Sequence, residues 1–210
     1  MNFLKMLTRA TKAAIKASRQ TVTATPGKPD LSMLPERFVV FDLETTGLRA
    51  DFHEIIEIGA IRVNRDSDVH DSFSTLITPT GRVSSKITSL TGLDRKILTA
   101  EGQALASALE EFSAFVGELP LVAFNARFDH EFLKHACDRA GRAQFRNEVT
   151  CALALSRKAW PGRSSYRLTD MCLDAGIKIH SEHRALPDCE RALHVYVAAS
   201  QKLGMSHQPR

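Results

Sequence analysis

Three strand-like segments follow one another early in the chain, and their order constrains the fold more than any other feature. They cover residues 38–43, 55–63 and 70–78. The first is a buried apolar run, FVVF, and the polar residues 64–68 between the other two suit a hairpin. We therefore expect an antiparallel pair beside a central strand.

Helical patterns then alternate with one further strand. Residues 104–116 carry apolar side chains at helical spacing, residues 119–124 read as a buried strand, and residues 126–140 form a second helical stripe that includes Phe128. Gly141 stands where a helix C-cap is expected. Further helical patterns cover residues 151–159, 165–175 and 187–202. This order predicts an α/β domain with a mixed central β-sheet flanked by α-helices.

Two acids, Asp42 and Glu44, stand at the end of the first strand. Residues i and i+2 of a strand point the same way, so these carboxylates are expected to project together. They repel one another unless a cation lies between them, and Mg²⁺ takes oxygen ligands of this kind. By itself the pattern also fits an exposed turn, with Thr45 and Thr46 as turn residues and Gly47 as a permissive backbone position.

Two later acids occupy similar junctions. Asp129 follows Asn125, which suits the capping position of the helix after the strand 119–124. Asp188 follows Pro187, which is tolerated at a helix start. Each acid alone fits a first-turn residue stabilised by the helix dipole. Both nevertheless fall where clefts of α/β domains form.

His183 lies five residues before Asp188. A single histidine among eight is more often structural or exposed than catalytic. An imidazole beside an activated water is nevertheless able to accept a proton at neutral pH. His183 is therefore a candidate general base whose assignment depends on its neighbours.

The net charge of +4 is concentrated near the N-terminus. Residues 1–29 hold six basic residues and no acid; subtracting these six from 28 Lys and Arg leaves 22 against 24 Asp and Glu. The segment has the pattern of an amphipathic basic helix and fits a solvated extension, a surface contact or a transit peptide. We expect an extension and linker over 1–30, and a domain over 31–205.

Several function classes are disfavoured by composition. No apolar stretch approaches the roughly 20 residues of a membrane span, so none is expected. The four cysteines form no CxxC pair, which argues against a zinc knuckle or a short disulfide framework. We expect reduced thiols in a cytoplasmic protein.

Together these segments resemble the DEDDh, or DnaQ-like, 3′–5′ exonucleases, which include the proofreading epsilon subunit of bacterial DNA polymerase III. FDLETTGL is similar to the family's first motif, FNARFDHEFL to its second and HRALPD to its third. The stretch ITSLTGL, residues 87–93, is similar to the loop that follows the family's third strand. The resemblance extends from Phe38 to Tyr196. Phe124 departs from it, because many members have histidine there.

The resemblance implies a ribonuclease H-like fold and a metal-dependent active site. Four acids would bind two divalent ions, Mg²⁺ or Mn²⁺, and His183 would act as the general base; the acids are Asp42, Glu44, Asp129 and Asp188. The implied reaction is hydrolysis of the terminal phosphodiester at a 3′ end, which releases nucleoside 5′-monophosphates by a two-metal mechanism.

Substrate contacts are implied by the same resemblance. The turn after the first strand would face the terminal nucleotide, and the loop 87–93 would approach its base; the residues concerned are Thr45, Thr46, Gly47, Leu48, Thr91 and Gly92. Phe128 is expected in the core rather than as a stacking platform. The expected partners are nucleic acid 3′ ends, with single-stranded DNA preferred to RNA, and a polymerase or clamp.

Two other hypotheses stay open at this point. The first is an exoribonuclease of the same family, since no residue type announces contacts to a 2′-hydroxyl. The second, from another class, is a catalytically silent nuclease-like module that helps to assemble a polymerase complex. A silent module is expected to have lost a ligand or the base, whereas all five residues are present.

Overall fold

The computed structural model describes residues 34–67, 69–174 and 183–204, together with the backbone of Val22–Thr23. The basic helix predicted near the N-terminus and the proposed boundary at residue 30 fall outside these residues, apart from that two-residue strand. The extent of the two segments therefore stays a prediction.

Six strands form one mixed sheet. They are β1 (Val22–Thr23), β2 (Arg37–Thr45), β3 (Ile55–Asn64), β4 (Val69–Leu76), β5 (Leu121–Ala123) and β6 (Val149–Cys151). Their order across the sheet is β1-β4-β3-β2-β5-β6. β2 pairs antiparallel with β3 and parallel with β5, so it lies at the centre, as the sequence predicts.

Seven described helices pack against this sheet. They are α1 (Ser85–Thr91), α2 (Arg95–Glu101), α3 (Leu105–Val116), α4 (Ala126–Ala140), α5 (Ala152–Ala159), α6 (Leu168–Asp174) and α7 (Ala185–Lys202). The predicted α/β class with a mixed sheet is confirmed. The short elements α1, α2 and β6 are not among the sequence predictions. β6 ends at Cys151, so the helix predicted over 151–159 begins one residue later, at Ala152.

The strand β2 divides the core by alternation. Val39, Phe41 and Leu43 pack on the side of α3 and α4. Phe38 and Val40 pack on the other side, with α7. Because side chains alternate along a strand, Asp42 and Glu44 continue the row that faces α7. The apolar strand therefore fixes the direction of both acids.

Helix ends agree with the sequence in one case and differ in another. Gly141 ends α4 in the left-handed conformation, with φ of 62°, as predicted. Asn125 occupies the N-cap position of the same helix, but its side chain makes no capping hydrogen bond, because its backbone (φ −114°, ψ 64°) is not extended.

The cysteines and the hydropathy of the helices can also be compared with the sequence analysis. All four cysteines are free thiols, as expected. In the part of the chain that the structure describes, no helix combines the length and hydropathy needed to cross a membrane.

Candidate active site

The first two acids are placed by the pairing of β2 with β3. Asp42 lies opposite Gly59, and Glu44 lies opposite Glu57. The register shifts between Glu44 and Thr45, where a bulge ends the regular ladder. β2 therefore delivers its carboxylates just before the chain leaves the sheet.

The third acid, Asp129, enters from the first turn of α4. It is 3% exposed, and the backbone N–H groups of Asp129 and Leu43 both donate to its carboxylate. The bond from Leu43 ties α4 to the strand that carries Asp42. Asp129 therefore differs from an exposed first-turn acid that only interacts with the helix dipole, because it is buried and bound to β2.

The fourth acid, Asp188, enters from the first turn of α7. This helix crosses β3 at Gly59, where a Cβ would lie 2.5 Å from the carbonyl carbon of Ala185 and 2.5 Å from the nitrogen of Leu186. Only a residue without a side chain allows that approach. The glycine therefore lets the start of α7 lie directly over the strands that carry the other acids.

His183 joins this group from the segment before α7. Its ring nitrogen and the carboxylate oxygens of Glu44 and Asp188 lie within 4.8 Å of one another. The histidine is exposed and has φ of 57°, the only positive value among the described non-glycine residues. The sequence candidates for base and ligands thus meet at one place.

A cleft of about 590 Å³ opens at this point. Among its lining residues are Asp42, Asp129, His183 and Asp188. Phe128 also lines it while its ring packs 4.7 Å from that of Phe132, so this residue serves both the core and the cleft wall.

The acids resist ionisation in the absence of a cation. Burial, followed by the charges of Asp129 and Glu44, raises the pKa of Asp42 well above its ordinary value. Burial, followed by the charge of Glu57, raises the pKa of Glu44 to about 7. Burial likewise raises the pKa of Asp129 to about 7, against the backbone hydrogen bonds that lower it. A site with these properties favours bound cations.

The donor set fits hard divalent ions. Carboxylate oxygens are the ligands that Mg²⁺ and Mn²⁺ prefer. Divalent ions there would neutralise charges that otherwise destabilise the fold. Arg191 forms a buried ion pair with Asp188, and both Arg191 and Arg167 line the cleft. Arg191 is not among the sequence candidates.

The predicted substrate contacts lie elsewhere. The Thr45 hydroxyl donates to the Gly47 carbonyl at 2.6 Å. The Thr46 N–H donates to the Glu54 carbonyl at 2.9 Å, so this amide is already used within the turn. Leu48 is 84% exposed, and the buried Thr91 hydroxyl donates within α1 to Ile87.

Gly47 and Gly92 complete the set. A Cβ at Gly47 would lie 2.3 Å from the His53 ring, whereas Gly92 is open, with φ of 73°. None of the six predicted contact residues is among those that line the described cleft. Their contact with substrate stays a prediction.

Sequence reasoning also missed Glu57 and its partner. Glu57 is 1% exposed, and its carboxylate accepts hydrogen bonds from the Arg184 side chain. The signal was an acid inside the otherwise apolar strand IIEIGAI. Its meaning required the register, which sets Glu57 beside Glu44.

Comparisons with known proteins concern the family and the fold of the chain. Residues 39–196 match the exonuclease family model RNase_T. The DNA polymerase III subunit epsilon of Aquifex aeolicus is 30% identical over 172 residues, which cover 82% of this chain and 84% of that protein. The PolC-type DNA polymerase III of Halalkalibacterium halodurans is 35% identical over 165 residues, which cover 79% of this chain but only 11% of that much longer protein.

Solved structures share the fold. Exonuclease I superposes with a TM-score of 0.69 at 20% identity, covering 80% of this chain and 41% of that one. Exonuclease X in complex with 5′ overhanging duplex DNA superposes with a TM-score of 0.62 at 22% identity, covering 80% and 93%. The ribonuclease H-like fold that the resemblance implied is confirmed. On the family match and the epsilon relative, this chain belongs to the RNase_T exonuclease family.

Proposed function

We propose that the protein is a metal-dependent 3′–5′ exonuclease that hydrolyses the terminal phosphodiester of DNA and releases nucleoside 5′-monophosphates. The observation that carries this proposal is the meeting of the β2 acids, Asp129, Asp188 and His183 around one cleft. Relatives named as DNA polymerase III proteins favour DNA over RNA as the substrate.

The acids Asp42, Glu44, Asp129 and Asp188 would hold the divalent ions. Bound there, the ions would neutralise negative charge on the scissile phosphate and make a water molecule more acidic. The sheet supplies two of these ligands on a rigid strand, and α4 and α7 each supply one. The chain's own contribution is therefore to hold the ligands in place before substrate arrives.

His183 is the proposed proton acceptor. It is exposed to the cleft, and its ring lies close to two of the acids. An imidazole at that point accepts a proton from the attacking water and returns it to solvent. Phe124, Asn125 and Phe128 line the same cleft, which would receive the terminal nucleotide.

A strand-degradation assay tests this function. A single strand labelled at its 5′ end is incubated with protein and Mg²⁺ or Mn²⁺; we expect a ladder that shortens from the 3′ end and mononucleotides with a 5′-phosphate. EDTA and Asp42→Ala should each abolish the ladder. Asp138→Ala is the matched control, because this acid lies on the exposed side of α4 in an ion pair with Lys134.

Three results would contradict the proposal. Release of the label as a mononucleotide at the start would indicate the opposite polarity. Equal degradation of matched RNA and DNA strands, or faster degradation of RNA, would contradict the DNA preference. Binding of the strand without turnover, with both metals and across pH, would favour the silent assembly module.

A further inference from the structure

The segment that carries His183 is fixed to the sheet by one ion pair, in which the Glu57 carboxylate is buried and the Arg184 side chain is 43% exposed. The Arg184 guanidinium donates through Nε to Glu57 Oε2 at 3.0 Å and through Nη2 to Glu57 Oε1 at 2.9 Å. The backbone N–H of Ala185 also donates to Glu57 Oε2, at 3.2 Å. A paired, planar contact of this kind fixes orientation as well as distance.

Glu57 is costly where it lies. Its side chain is buried and stands directly across the ladder from Glu44, and its charge contributes to the raised pKa of Glu44. An ion pair adds little to stability when it is exposed, and a buried pair adds little compared with apolar residues of similar volume. Stability alone therefore gives no reason for an acid at this position in an apolar strand.

His183 has the backbone conformation that such an anchor would explain. A positive φ is uncommon for a residue with a side chain and persists where its surroundings determine it. The residue that follows, Arg184, is extended (φ −132°, ψ 129°) and is held by Glu57. One turn further on, the Cys189 thiol donates to the Gly59 carbonyl at 3.2 Å, which fixes α7 to the same strand.

We propose that Glu57 and Arg184 are positioning residues that hold the His183 imidazole against the acids of the cleft. This inference rests on the proposed function, because it concerns the base of that reaction. Glu57 lies on β3 opposite Glu44 and binds the Arg184 side chain. Because Arg184 directly follows His183, holding Arg184 in place also restricts the position of His183. Neither side chain lines the cleft.

The first test separates position from stability. Arg184→Met should lower kcat about 10- to 100-fold, the range seen when partners that orient an active-site group are removed. KM should change less than about twofold, because the ion pair lies outside the cleft. Arg142→Met is the matched control: it breaks a 2.7 Å ion pair with Glu110 that is exposed and remote from the cleft, so kcat should be unchanged.

A double variant covers the case in which Arg184→Met folds poorly. Arg184→Met leaves Glu57 buried without its cation, whereas Glu57→Gln with Arg184→Met leaves no unpaired buried charge. The double variant should recover the unfolding temperature of the wild type but keep the low kcat. Recovery of kcat together with stability would show that the pair is only structural, and would overturn the inference.

The link to the histidine is tested in a second background. With His183→Ala already present, Arg184→Met should change the residual kcat by less than about twofold, because interacting residues are not additive. An equal loss in both backgrounds would overturn the inference. If His183→Ala leaves the wild-type kcat unchanged, the assignment of the base fails, and this inference fails with it.

NMR of the histidine side chains gives a readout that does not depend on activity. The His183 ring resonance, assigned by its loss in His183→Ala, should be single in the wild type and broadened or split in Arg184→Met. An unchanged resonance would overturn the inference. Full activity of the Arg184 and Glu57 variants, beside an inactive His183→Ala, would reject the positioning role and leave the proposed function standing.

Discussion

Replacing Glu44 with glutamine should make the metal-free protein more stable. Burial and the charge of Glu57 raise the pKa of Glu44 from 4.5 to about 7 in the folded chain. At roughly 1.4 kcal/mol for each pH unit, this rise means that ionised Glu44 destabilises the fold by about 3 kcal/mol at pH 8. Glu44→Gln keeps the shape of the side chain and removes that cost.

The sign of the pH dependence follows from the same shift. An acid whose pKa is higher in the folded than in the unfolded chain binds more protons when folded, so wild-type stability falls as pH rises from about 4.5 to about 7. The advantage of Glu44→Gln should therefore stay below about 0.5 kcal/mol near pH 4.5 and approach about 3 kcal/mol at pH 8.

Denaturant unfolding in EDTA at these two pH values measures the difference. Glu54→Gln is the matched control on the same hairpin: burial acts to raise the pKa of Glu54, but hydrogen bonds from Thr80 and Gly81 outweigh it and lower the pKa. Ionised Glu54 therefore stabilises the fold, and its replacement should destabilise the protein at pH 8. The two substitutions should have opposite signs.

Adding Mg²⁺ at pH 8 should narrow the stability difference between Glu44→Gln and the wild type. At a concentration 100 times the dissociation constant, a ligand stabilises the folded state by about 2.7 kcal/mol. The wild type should gain this stabilisation, whereas Glu44→Gln, which lacks one ligand, should gain less. If Glu44→Gln is no more stable than the wild type at pH 8 in EDTA, or if its advantage is the same at both pH values, the electrostatic reasoning is wrong.

Gly59→Ala should destabilise the protein by about 1–3 kcal/mol and lower activity further, because a Cβ there pushes α7 away from β3; unfolding curves and the strand assay measure the two effects, and a neutral result would show that the contact is not tight. Arg191→Met should lower metal-free stability by roughly 3 kcal/mol, because it leaves the buried Asp188 unpaired; thermal unfolding with and without Mn²⁺ should show a larger metal-induced gain than in the wild type, and an unchanged gain would contradict this. In the native protein a thiol reagent should modify the part-exposed Cys151 before the fully buried Cys189, whose pKa burial raises well above its ordinary value; simultaneous modification would contradict the burial.

The sequence predicted the longer helices and strands of the fold. β3 and α4 were predicted because they are long, with ten and 15 residues, and show their apolar pattern over most of that length. The helices α1 and α2 have seven residues each, too few for a stripe to stand out. The strand β6 has only three residues, all half-buried. It forms by pairing with β5, and this pairing cannot be read from the local sequence.

In the site, likewise, the sequence predicted the residues whose arrangement depends on local geometry and missed those whose arrangement depends on distant contacts. Asp42 and Glu44 were predictable as a pair because strand geometry alone aligns them. Glu57 was not, because its neighbours come from the register between two strands and from Arg184, which lies 127 residues later, directly before α7. Arg191 was missed because α7 mixes polar and apolar residues, and a cation in such a helix usually lies on its solvent-exposed face. Only the packing of α7 shows that Arg191 is buried.

The crossing of α7 over Gly59 also bears on protein synthesis. When the ribosome has made the first 180 residues, the growing chain holds three of the acids, on β2 and α4, but neither Asp188 nor His183. Domains generally fold as units, and one face of the sheet packs on α7, so the site forms only after α7 has been made. On the proposed function, an incomplete chain therefore has no nuclease activity, and hydrolysis begins only when the last described helix has docked.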